Sequence, residues 1–140
     1  MSAAHEMRLL GLLSSVEQAL CGEPTRSQGL PVPCADLPAR SKVMIVDDEE
    51  LNILVVAEHL RDGGYPEPVS TVDPYQAIAL AARERPDVVL LDLHMPRLTG
   101  FDLLRLIRSD PALGWTPVVV LTSSTSAAEK LRALELGATD

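Results

Sequence analysis

Four short aliphatic runs constrain this chain more than any other feature. They are "KVMIV" at 42–46, "PVSTV" at 68–72, "DVVLLD" at 87–92 and "PVVVLT" at 117–122. Each has strand length, and three are apolar on successive residues, as in a strand buried on both faces. Between them lie helical patterns over 50–61, 74–84, 99–109 and 126–136. In the first, Ile53, Val56, Ala57 and Leu60 share one face, and Gly63 and Gly64 end it. Asp73 followed by Pro74 reads as a cap and first position, and Gly137 stops the last helix. Strands alternating with helices predict an α/β fold: a parallel sheet with right-handed crossovers and helices on both faces. Ligands of such sheets bind beyond the carboxyl ends of the strands, where strand order reverses.

The polar residues sit at those ends. The first run ends in Asp47 and Asp48, the third in Asp92 and the fourth in Thr122. A single acid there reads as a helix cap and a lone threonine as ordinary strand chemistry. Three carboxylates on one edge, with strand 1 between strands 2 and 3, would instead repel and raise each other's pKa unless a cation lies among them. Oxygen ligands with room for water suit Mg²⁺. A carboxylate beside such an ion is a candidate phosphoryl acceptor, with the Thr122 hydroxyl in reach of a phosphoryl oxygen.

The stretch from Lys42 to Asp140 resembles the receiver domain of two-component response regulators. The likeness rests on "IVDDEE" at 45–50, "LLDLHMPRLTG" at 90–100, "VVVLTS" at 118–123 and "ALELGATD" at 133–140, with Met95, Pro96 and Gly100 spaced after Asp92 as in that family. The resemblance implies a flavodoxin-like, doubly wound sheet of order 2-1-3-4-5. It implies that Asp92 takes a phosphoryl group from a histidine kinase or a phosphotransfer protein. It also implies that Mg²⁺ is held directly by Asp48, largely through water by Asp47, and by Asp92 and the backbone carbonyl of His94. Thr122 would be the switch hydroxyl, and His94 and Ser124, each two residues past a key position, would tune the lifetime of the phosphoryl group. The family continues past "GATD" into a fifth strand ending in Lys-Pro and a fifth helix. Here the chain stops at Asp140 and its lysines are Lys42 and Lys130, so the expectation is a fragment of a longer regulator with an output domain downstream, set against a shortened receiver with impaired switching. Strand 4 is then an unpaired edge and the face of helix 5 is bare, which favours self-association.

Ahead of the receiver, residues 5–21 carry Leu9, Leu13, Val16 and Leu20 as one helical stripe. That pattern fits a helix packed on its own domain or a helix for a partner or second copy. Proline and glycine without periodicity follow, so the expected division is a helix at 1–22, a linker at 23–41 and a receiver at 42–140. The formal charge of -8 argues against nucleic acid or anionic membrane as a partner. "LLGLL" at 9–13 is too short for a membrane span and lacks the basic flank of a signal peptide. Cys21 and Cys34 have no metal or redox spacing, and a cytoplasmic location is expected. Two other classes compete. An aspartyl-phosphate phosphatase of the haloacid-dehalogenase type needs an acid where His94 stands. An interaction-only pseudo-receiver would have eroded acids, whereas these are intact; the missing lysine keeps that reading open.

Overall fold

The computed structural model describes residues 15, 16, 19, 20, 41–121 and 127–139. Strand β1 (Val43–Val46) leads to α1 (Glu50–Asp62), β2 (Val69–Thr71) to α2 (Pro74–Glu84), β3 (Val88–Asp92) to α3 (Gly100–Ser109), and β4 (Val118–Leu121) to α4 (Ala127–Glu135). All pairings are parallel and the order is β2-β1-β3-β4. This is the flavodoxin-like order expected for its first four strands.

The strand pattern divides the core in two. Met44, Val46, Val89, Leu91 and Val118 face α2, α3 and α4, where Ala77, Ala81, Phe101, Leu104, Ile107 and Ala133 cover them. Val43, Ile45, Val88, Leu90 and Val119 face the other way, onto Ile53, Val56, Ala57 and Leu60 of α1. Side-chain alternation along each strand makes this split. Right-handed crossovers place α1 opposite the others, because the chain moves outward from β1 to β2 and then returns across β1 to β3. The reversal opens a crevice at the carboxyl ends of β1 and β3.

The α1 face of the sheet is covered by more than α1, contrary to the expectation of a bare face. Val16 and Ala19, in helical conformation, are 0 % and 6 % exposed and belong to the same cluster as Val43, Leu90 and Val119, with Leu20 packed at its margin. A valine so buried contributes about 1.5–3 kcal/mol. Of the two readings of the N-terminal stripe, these residues follow the one in which it packs on its own domain. The outer edge of β4 is also engaged at its start: Thr139 N–H donates to the Val118 carbonyl at 2.7 Å, and Val118 N–H donates to Thr139 Oγ1 at 3.2 Å.

Local signals explain most boundaries. Asp73 accepts from Tyr75 N–H and Pro74 opens α2. Thr99 and Asp102 form a capping box at α3. At the end of α1 it is Gly64, not Gly63, that takes the positive φ, at 92°. Gly137, at φ 110°, turns the chain after α4.

Candidate functional site

Asp47, Asp48 and Asp92 meet at the crevice. One carboxylate oxygen from each lies within 4.8 Å of the others. Asp47 follows directly after β1, and Asp92 is the last residue of β3. Parallel pairing of Val46 with Leu91 brings the two strand ends level. Asp47 is buried, whereas Asp48 and Asp92 are half-buried.

Two of the acids are oriented by the same local device. Glu49 N–H donates to Asp47 Oδ1 at 2.9 Å, and His94 N–H donates to Asp92 Oδ1 at 3.1 Å. Each is an aspartate bonding the backbone two residues on, which fixes its carboxylate at the start of a loop. The second loop is held close to its strand end by Gly100, whose N–H donates to the Leu93 carbonyl at 3.0 Å. A Cβ on Gly100 would stand 2.3 Å from the Asp92 carbonyl oxygen and 2.6 Å from Leu93 Cα, so only glycine permits this approach.

The electrostatics are those of an anion cluster seeking a cation. Burial lifts the Asp47 carboxyl to about 6, helped by the charges of Asp92 and Asp48 and opposed by the Glu49 N–H and the Asn52 side chain. Burial also raises Asp92, with Asp48 and Glu49 adding to the rise, while the His94 N–H and its ring work against it. Three hard oxygen donors on one open edge match the ligand set of Mg²⁺, which keeps several waters. The donor set therefore fits the ion that the resemblance implies.

Thr122 and Ser124 lie outside the described residues, as do Cys21, Cys34, Leu9 and Leu13. His94 is exposed at the rim, and its Nε2 meets Glu129 Oε2 at 3.0 Å. Glu129 carries no sequence signal of this contact, because 35 residues separate it from His94; in sequence it is only an acid in a helix's first turn. Of the two lysines, Lys42 pairs with Glu84 at 2.9 Å, and Lys130 is exposed on α4. Arg108 likewise has no mark in sequence. It donates to the carbonyls of Gly137, Gly114 and Thr116, tying α3 to the chain after α4.

A parallel sheet whose reversal point carries three converging carboxylates is a doubly wound α/β fold with an acidic crevice at one strand edge. A sequence profile of the response regulator receiver domain matches residues 43–140. The chain belongs to that family, the signalling receivers of two-component systems. It is 35% identical over 100 residues to the response regulator PleD of Caulobacter vibrioides, covering 71% of this chain and 22% of PleD. It is 31% identical to the alkaline phosphatase synthesis regulator PhoP of Bacillus subtilis, over 71% of this chain and 40% of that protein. The chain thus spans well under half the length of either relative. Among solved structures, Vibrio cholerae CheY4 aligns with a TM-score of 0.65 at 35% identity, over 71% of this chain and 82% of that one. A receiver domain from Methanoculleus marisnigri aligns at 0.67 with 27% identity, over 73% and 82%. Among the described residues no helix is long and apolar enough to cross a membrane.

Proposed function

We propose that this receiver is a phosphoacceptor module in which Asp92 takes a phosphoryl group from a histidine kinase or phosphotransfer protein and so switches an output domain or partner. The observation that carries this reading is the convergence of Asp47, Asp48 and Asp92 within 4.8 Å at the reversal point of the sheet. Mg²⁺ would be held by Asp48 directly, by Asp47 largely through water, and by Asp92 and the His94 carbonyl. When bound, the ion neutralises charge on the phosphoryl oxygens. Asp92 supplies the nucleophile: a carboxylate oxygen forms the new O–P bond as the donor's P–N bond breaks, and the electron pair leaves with the donor nitrogen. The two i+2 amide bonds keep Asp47 and Asp92 aimed into the crevice, so little reorganisation accompanies the transfer. Thr122 would bind a phosphoryl oxygen, and His94 and Ser124 would tune its lifetime. The chain's own chemistry is limited to this self-phosphotransfer.

The same reading divides the chain into an N-terminal helix at 1–22, a linker at 23–41 and the receiver from 42 to 140, working in the cytoplasm. Output activity belongs to whatever the receiver controls. The test is incubation with acetyl phosphate and Mg²⁺ followed by mass analysis of the intact chain and its peptides. One phosphoryl group on Asp92, and none in Asp92→Asn, is expected. No uptake with the acids intact would favour the interaction-only pseudo-receiver. Turnover of many phosphate esters would favour a phosphatase.

A further inference from the structure

Among the described residues, His94 and Glu129 form a polar bridge between the acceptor loop and α4. The backbone of His94 is fixed by its bond to Asp92 Oδ1. Its side chain is about half exposed at the rim, where an imidazole would otherwise sample several rotamers. Glu129 restrains it, with Nε2 at 3.0 Å from Oε2. Glu129 is in the first turn of α4, where the helix dipole favours a carboxylate. Helix α4 itself buries only Ala133 among its residues, so its seat depends on contacts at its edges. Arg132 lies 4.5 Å above the Phe101 ring of α3, and Glu129 makes the contact that reaches the acceptor loop. The chain of bonds Asp92–His94–Glu129 therefore runs from the crevice into a helix with a shallow footing.

We propose that Glu129 is a positioning residue: by holding the His94 imidazole in place it slows attack of water on a phosphoryl group carried at Asp92. The proposal rests on the phosphoacceptor reading and deepens it. In the step concerned, a water oxygen bonds to phosphorus as the Asp92 O–P bond breaks. The electron pair returns to the Asp92 carboxylate, and the water proton leaves with inorganic phosphate or to solvent. A tethered ring narrows the path of that water, and a freed ring opens it.

The experiment uses the whole chain, phosphorylated with acetyl phosphate and freed of donor, with loss of the aspartyl phosphate followed over time. Glu129→Ala is expected to hasten the loss about threefold to tenfold, the scale of one net hydrogen bond. Glu129→Gln, whose amide oxygen can still accept from the ring, should stay within about twofold of the unmodified chain. His94→Ala should hasten the loss as much as Glu129→Ala, and the double variant no more than either, because the residues act as one unit. In parallel, the carbon-bound protons of the His94 ring are followed by NMR, and they should shift in Glu129→Ala far more than in Glu129→Gln. An unchanged ring signal, or equal acceleration by Glu129→Ala with His94 already removed, would overturn the positioning role. A chain that takes up no phosphate overturns the acceptor reading and this proposal together, whereas uptake with a lifetime indifferent to Glu129 overturns this proposal alone.

Discussion

Asp47 is where the demands of folding and of the site conflict most. Its carboxyl is raised from 3.8 to about 6, first by burial and then by its acidic neighbours. A folded pKa above the unfolded one means that the native state binds more protons between these values. Without a cation, the contribution of Asp47 to stability is therefore highest below about pH 4 and falls as pH rises through about 6. Asp47→Asn should stabilise the metal-free chain at pH 7 by about 1–2 kcal/mol, less than the full shift implies because solvent screens part of it. It should also remove much of the stabilisation that Mg²⁺ brings. Melts in chelator from pH 4 to 7 would check both, and a variant less stable than the parent at pH 7 would contradict the account. Gly100 is the converse case, a residue with no chemistry on which the site still depends. Its absent Cβ leaves room against the Asp92 carbonyl and Leu93 Cα, both backbone atoms of the acceptor loop. Gly100→Ala should cost about 1–3 kcal/mol as an overpacked position and should weaken Mg²⁺ binding by displacing Asp92. Denaturant melts with a parallel Mg²⁺ titration measure the two effects; a destabilised variant with unaltered Mg²⁺ affinity would separate Gly100 from the site.

At the scale of elements, capping shows where site chemistry overrides helix chemistry. Helices α2 and α3 open with capping side chains, Asp73 and Thr99. Helix α1 opens at Glu49 with no side-chain cap, although two aspartates immediately precede it. Those acids lie in the crevice cluster instead, a local rule broken at a candidate functional site. Val16 and Ala19 are residues whose worth lies in what they cover. Val16 closes the α1 side of the sheet against Val43, Leu90 and Val119. Val16→Asp, which would bury an unpaired charge there, should lower stability by about 3 kcal/mol or more, while the same change at exposed Leu131 should cost little. Thermal melts decide it: equal small effects at both positions would mean that Val16 does not seal the sheet in solution.

Over the whole molecule, periodicity and tertiary placement divide the explanation between them. The order of elements is legible in the sequence because a two-residue alternation and a helical spacing leave different marks, and the observed bounds lie within one residue of the expected ones. Asp47, Asp48 and Asp92 group together on sequence grounds, since a parallel sheet brings the carboxyl ends of neighbouring strands level and these acids follow β1 or end β3. Other features depend on partners far apart in the chain. The stripe around Val16 is free, as far as its sequence goes, to pack at home or on a partner, because amphipathicity records that a face must be covered and not by what. The expectation of a bare sheet face failed for that reason. The pairing of His94 with Glu129 and the grip of Arg108 on three carbonyls likewise have no local signal. Strand, helix and acid were determined by the sequence through short-range sterics and hydrophobic period. Which side chain closes the sheet, and which acid holds the rim of the crevice, was decided only by the tertiary structure, because those contacts exist only after distant segments have been packed together.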